Sequence, residues 1–177
     1  MMNQKPVFAV VGHPNKGKSS VVATLSQNDA IAIALEPGTT RAGQAYPLTV
    51  DGQELYTLVD TPGFQRPRRV LQWLEAHSLS ASDHPETVRA FVLQHRGDDR
   101  FVDECELLAP ITEGAGIIYV VDGSVPYSAE HEAEMTILRW TGRPSLALIN
   151  SIGGADYSDT WQSALGQFFQ VVRKFDA

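Results

Sequence analysis

With 177 residues, 43% of them hydrophobic and 20% charged, the chain has the make-up of one globular domain with a core, which excludes an extended disordered tract. A formal charge of −7 argues against a broad nucleic-acid-binding surface, and the lone cysteine, Cys105, excludes an intrachain disulfide. The opening Met-Met-Asn-Gln-Lys-Pro carries no apolar signal-peptide stretch and no apolar run is long enough to span a bilayer, so the expected setting is cytoplasmic, any membrane contact being peripheral and made through a region outside this sequence.

The first predicted element is the apolar run Val7 to Val11, a strand. It leads into Gly12-His13-Pro14-Asn15-Lys16-Gly17-Lys18-Ser19-Ser20 and then a helical pattern at Val21, Val22 and Leu25. A glycine-rich loop between a strand and a helix is a phosphate-binding P-loop. The glycines let the backbone curl until successive N–H groups face phosphate oxygens, and the positive end of the helix adds to their field. Lys18 is then placed to reach the β and γ phosphates of a nucleoside triphosphate, and the Ser19 hydroxyl to ligate the Mg²⁺ that bridges them. Asn15, Lys16, Gly17, Lys18, Ser19 and Ser20 are the expected nucleotide contacts of the loop, Lys16 through its backbone alone.

Next comes Pro37-Gly38-Thr39-Thr40-Arg41, a loop whose threonines can close over Mg²⁺ and the γ-phosphate. Tyr46 to Val50 and Glu54 to Val59 flank Asp51-Gly52, a tight-turn dipeptide, and are expected to form an antiparallel edge hairpin. The apolar run Leu55 to Val59 ends in Asp60-Thr61-Pro62-Gly63, which puts Asp60 at the C-terminal end of a strand beside the P-loop, where ligands bind in doubly wound sheets. Asp60 is positioned to hold Mg²⁺ through water. Gly63 has no side chain to keep its N–H from the γ-phosphate, so the segment after it is expected to respond to hydrolysis.

From Arg66 to Arg100 the pattern is irregular, with helices expected around Val70 to Ala76 and Pro85 to Gln94, and a third at Asp103 to Leu108. This reads as an elaboration inside one domain, suited to an effector or dimer surface. Arg66, Arg68 and Arg69 read as a solvated basic face. Trp73, His77, His84 and His95 also lie here, and their spacing matches no compact metal-ligand motif, so surface or packing roles are expected. Ile117 to Val121 and Leu146 to Ile149 are further buried strands, joined by a crossover helix over Ala129 to Trp140. Towards the end, a helix is expected over Trp161 to Phe169 and a last strand over Phe168 to Val172. Strands and helices alternate, which predicts an α/β fold with a mostly parallel, doubly wound sheet and one antiparallel edge pair.

Taken together, Gly-His-Pro-Asn-Lys-Gly-Lys-Ser, Pro-Gly-Thr-Thr-Arg and Asp-Thr-Pro-Gly resemble, in order and spacing, the TrmE, Era and EngA branch of Ras-like GTPases over essentially the whole chain. Pro14-Asn15 is specific to that branch, and Thr-Pro-Gly-Phe-Gln-Arg-Pro is most similar to the G domain of bacterial GTPases with a C-terminal DUF3482 region. The resemblance implies a six-stranded Ras-like P-loop fold, with residues 1–177 forming one G domain at the N-terminal part of a longer protein. It implies catalytic roles for Lys18, Thr40 and Gly63, with nucleotide contacts also from Thr39. It implies Mg²⁺ held by Ser19, Thr40 and, through water, Asp60. Asn15 matches the asparagine that places K⁺ against the phosphates, where a monovalent cation neutralises developing charge as an arginine finger does; a loop-stabilising amide is the other reading of this residue.

Two departures qualify the pattern. Phe64 follows Gly63 where many Ras-like enzymes place a water-orienting glutamine, so slow turnover is expected; Gln72 and Glu75 lie nearby in no matching register, and no general base is assigned. Guanine is normally read by Asn-Lys-x-Asp. Here the segment is Asn150-Ser151-Ile152-Gly153-Gly154-Ala155-Asp156: Asn150 matches, Ser151 replaces the lysine and Gly153 the aspartate. Asp156 reaches the base only if the glycines loop it back; otherwise it is an acidic residue at a helix start.

The implied function is a GTP-binding molecular switch that slowly hydrolyses GTP to GDP and phosphate with Mg²⁺ and stimulation by K⁺. Its implied partners are GTP and GDP, a second copy bound in a nucleotide-dependent homodimer, and an unidentified protein effector; no direct nucleic-acid or transmembrane signal is seen. A non-hydrolysing nucleotide-binding module and a P-loop ATPase or kinase are the alternatives.

Overall fold

The computed structural model describes residues 4–12, 18, 21–22, 44–151 and 153–175. Six strands form one sheet: β1 (Val7–Gly12), β2 (Gln44–Val50), β3 (Gln53–Asp60), β4 (Gly116–Asp122), β5 (Ser145–Asn150) and β6 (Val171–Phe175). Their order is β2-β3-β1-β4-β5-β6, and only the β2/β3 pair is antiparallel. This is the expected mostly parallel sheet with one antiparallel edge pair, an α/β Ras-like P-loop fold. The hairpin turns at Asp51 (φ 50°) and Gly52 (φ 77°), both left-handed, the geometry that suits the twist of paired strands and that this dipeptide tolerates. Pro47, which lacks an N–H, sits on the edge strand β2.

Strand periodicity divides the core between the two faces of the sheet. Ala9, Val11, Ile117, Tyr119, Val121 and Ile149 join one cluster, while Val10, Leu58, Ile118, Val120 and Leu148 join another that contains Val21 and Val22. β4 is buried along its whole length, which accounts for the continuous apolar run Ile117 to Val121 within it. Each of its large aliphatic side chains contributes about 1.5–3 kcal/mol by leaving water.

Between β3 and β4 stand α1 (Pro67–His77), a 3₁₀ turn (Ala81–Asp83), α2 (His84–His95) and α3 (Val102–Thr112), the helical insertion expected after Asp-Thr-Pro-Gly. Prolines in the first turns of α1 and α2 supply the fixed φ those positions accept. α2 packs on α3, and α1 on α4 (Ala129–Trp140). The histidines here serve as packing rings: His77 stacks on Trp73 (3.8 Å between centroids), His84 stacks on Trp140 (3.4 Å), and His95 sits among Trp73, Phe91 and Phe101.

The C-terminal elements correct the expected boundaries. The helix is α5 (Ser158–Leu165), not Trp161 to Phe169, and the last strand is Val171–Phe175, not Phe168 to Val172. The Phe169 amide closes a turn onto the Leu165 carbonyl (2.8 Å), and its ring stacks on Tyr119 (5.5 Å). Its apolar character therefore serves the core from a turn, while β6 is an edge strand with one neighbour and mostly exposed side chains.

Candidate functional site

The parallel register brings the C-terminal ends of β1, β3, β4 and β5 to one edge: Val10 pairs with Asp60, Gly12 with Val120, and Asp122 with Asn150. Gly12 closes β1 in a space with no room for a side chain. A Cβ there would lie 2.4 Å from the Val120 carbonyl oxygen and 3.4 Å from Lys18 Cδ. After β1, Lys18, Val21 and Val22 are helical, while residues 13–17 between them lie outside the described residues. Lys18 is buried: desolvation pulls its ammonium below the ordinary lysine range, while the charges of Asp60 and Glu134 push it back up.

Asp60 ends β3 with 1% of its surface exposed and an electrostatic hold on Lys18. A buried carboxylate at a strand end beside the P-loop lysine is an oxygen donor of the kind a hard divalent cation takes, so the described residues fit Mg²⁺. Glu134, on α4, was not singled out from the sequence. It is fully buried and accepts the Tyr119 hydroxyl (2.5 Å), and burial together with that carboxylate pushes the Tyr119 phenol well above its ordinary range. Its signal in the sequence is an acid next to Met135 on the apolar face of the crossover helix.

The residues after Asp60 are tied down one by one. Thr61 Oγ1 donates to the Val10 carbonyl (2.8 Å), and the Phe64 amide to the Gly12 carbonyl (3.3 Å). Glu104 of α3, 1% exposed, accepts the amides of Gln65 (2.9 Å) and Arg66 (2.5 Å). Phe64 turns into the core with Val11, Val70 and Leu74 and is fully buried, so it presents nothing to a water molecule. Gln72 and Glu75 line a groove of about 400 Å³ between α1 and α4, together with Glu132 and Thr136. Glu104, like Glu134, escaped sequence reasoning.

At the far end of the edge, Asn150 is buried, and its carbonyl accepts the Gly123 amide (2.7 Å). The Gly153 position is closed: a Cβ there would lie 2.8 Å from Ser124 Oγ, which itself donates to Asp122 (2.5 Å). Asp156 is exposed and accepts the Ser158 amide at the start of α5 (2.9 Å). Ser158 first, and Lys174 with it, holds this carboxyl below its usual range. Of its two expected roles, Asp156 is seen in that of the helix start.

Asp60 and Asn150 thus end strands on one edge of the sheet, Lys18 stands in a helix within electrostatic reach of Asp60, and Gly63 follows three residues after β3. Asn15, Lys16, Gly17, Ser19, Ser20, Thr39 and Thr40 lie outside the described residues. Among the described residues no helix is long and apolar enough to cross a membrane.

Residues 7–151 match the model of a family described as 50S ribosome-binding GTPase. The chain is 41% identical over 148 residues to GTPase Der of Mycoplasma pneumoniae, covering 84% of this chain and 27% of that protein. It is 27% identical over 184 residues to GTPase Der of Desulforudis audaxviator, covering 93% and 40%. It spans well under half the length of these curated relatives. In fold it is similar to Era in complex with MgGDPNP and nucleotides 1506–1542 of 16S ribosomal RNA (TM-score 0.64, 18% identity, 96% of this chain and 50% of that one).

Proposed function

We propose, for a chain that belongs to the 50S ribosome-binding GTPase family and is a P-loop GTPase of the TrmE, Era and EngA type, that it works as a slow, Mg²⁺-dependent molecular switch stimulated by K⁺. The observation that carries this reading is the meeting of buried Lys18 and buried Asp60 at one strand edge, with the segment after Gly63 fastened to Gly12.

Lys18 would hold the β and γ phosphates, and Asn15, Lys16, Gly17, Ser19 and Ser20, which lie outside the described residues, would supply the other contacts of the loop. Ser19, Thr40 and, through water, Asp60 would hold Mg²⁺, whose charge would offset that of the phosphates. Thr39 would contact the nucleotide beside Thr40, and Asn15 would hold K⁺, whose charge would offset that of the phosphates. In the reaction a water oxygen bonds to the γ-phosphorus as the bond to the β–γ bridging oxygen breaks, giving GDP and inorganic phosphate. Phe64 withholds the water-orienting amide, which keeps unassisted turnover slow. Asn150 contributes to base recognition, with Asp156 following if its loop rearranges on nucleotide binding. The triphosphate state pairs two copies through the switch segments and recruits a protein effector, in a cytoplasmic setting.

The experiment is GTP turnover with Mg²⁺ in KCl and in NaCl, with sedimentation in GDP and aluminium fluoride. Faster turnover in KCl and a heavier species support the reading. Equal rates contradict the K⁺ role, and an unchanged species contradicts pairing. Turnover at the solvent rate would favour the non-hydrolysing module, and the closed Gly153 position is the observation on that side.

A further inference from the structure

We infer that Glu104 is a positioning residue that couples the γ-phosphate-sensing segment to the helices inserted between β3 and β4; the inference rests on the GTP-switch reading above. Glu104 is 1% exposed, and a polar group taken so far out of water needs hydrogen-bond partners. Among the described residues its partners are the Gln65 and Arg66 amides at 2.9 and 2.5 Å. The amide just before them, on Phe64, donates to Gly12 at 3.3 Å.

Consecutive peptide units downstream of Gly63 are therefore committed, on one side to the strand that delivers the P-loop and on the other to α3. Holding those units restrains the Gly63 residue that precedes them, so Glu104 limits the positions open to the donor meant for the γ-phosphate without touching it. Coupling also runs the other way. α3 packs on α2, and its Leu107, Leu108 and Cys105 lie in the core that buries Phe64. Movement that carries the Gln65 and Arg66 amides along with Gly63 strains or breaks the two bonds to Glu104 or draws α3 with it. A carboxylate with this role must sit inside the insertion and reach back 38 and 39 residues, as Glu104 does.

The test uses the whole chain with Mg²⁺ and compares Glu104→Ala and Glu104→Gln with the unsubstituted protein. Affinity is measured for GDP and for the non-hydrolysable GTP analogue GppNHp, and hydrogen exchange is followed at residues 63–66. Loss of the carboxylate in Glu104→Ala is expected to weaken GppNHp about tenfold while GDP changes less than about twofold. Glu104→Gln, which keeps an acceptor oxygen, is expected to fall between, with faster exchange at Gln65 and Arg66 in both variants. A merely structural Glu104 would weaken both nucleotides alike, and an unchanged ratio of the two affinities overturns the coupling. If Glu104→Ala does not fold, the ratio in Glu104→Gln decides by the same criterion. Unsubstituted protein that binds neither nucleotide overturns the GTP reading itself and the coupling with it, which separates the two failures.

Discussion

The Phe64 amide donates to the carbonyl oxygen of Gly12 at 3.3 Å, which joins the segment after Asp-Thr-Pro-Gly to the last residue of the strand feeding the P-loop. The same bond helps set Phe64 with its ring inside the core. The chain thus trades a site-facing side chain for an anchor.

Phe64→Gln is therefore expected not to speed hydrolysis, because position 64 faces the core and a glutamine there would bury its amide. Phe64→Ala is expected to cost about 3–5 kcal/mol of stability, the range for emptying a fully buried aromatic site. Urea unfolding and single-turnover hydrolysis measure both. Faster turnover in Phe64→Gln would show that the side chain reaches the water after all.

Gly12→Ala places a methyl 2.4 Å from the Val120 carbonyl oxygen, so β1 and β4 must separate at the site. The expected outcome is a loss of about 1–3 kcal/mol with abolished nucleotide binding. Binding retained at the unsubstituted affinity would mean that the strand ends are looser than their pairing indicates.

Restoring the missing aspartate alone is expected to fail. Gly153→Asp meets Ser124 Oγ at 2.8 Å, so the single substitution should destabilise the loop without raising guanine preference. Adding Ser124→Gly opens the space, and the double variant is expected to favour GDP over ADP more strongly than the unsubstituted chain. Competition binding reads the difference, and a gain from the single substitution would contradict the closed position.

Cys105 is buried, and that burial pushes its thiol from 9.0 up to about 11. Alkylation by iodoacetamide at pH 8 should be slow in the folded chain and fast in urea, because the reactive species is the thiolate. The sign of the linkage follows. The folded chain holds the proton above the pH at which the unfolded chain releases it, so this contribution to stability is complete below about pH 9 and is lost as pH rises towards about 11. Labelling at the same rate in both states would contradict the burial.

Much of the fold was legible because its signals are local. β1 and β4 announce themselves as apolar runs, Asp51-Gly52 as a turn, and Gly12, Lys18, Asp60 and Gly63 by their order around predicted strands. Glu104 and Glu134 were not legible, since an acid on a helix looks solvent-facing until the chain brings its partner. Those partners are backbone amides 38 and 39 residues away for Glu104 and the Tyr119 hydroxyl for Glu134. The last strand was misplaced for a related reason. Phe169 is apolar because it stacks on Tyr119 from a turn, a demand of the tertiary core that mimics a strand signal. The segment after Asn150 stayed open because its meaning depends on what stands against Gly153, and only the fold shows Ser124 there.

The most direct measurement is competition of GDP and ADP against a fluorescent guanine nucleotide bound to the purified chain with Mg²⁺. GDP displacing the probe at a lower concentration than ADP is the expected result, since the GTP reading needs Asn150 and the loop after it to favour guanine. Equal competition by ADP, or a probe that does not bind, would contradict a GTP-binding switch.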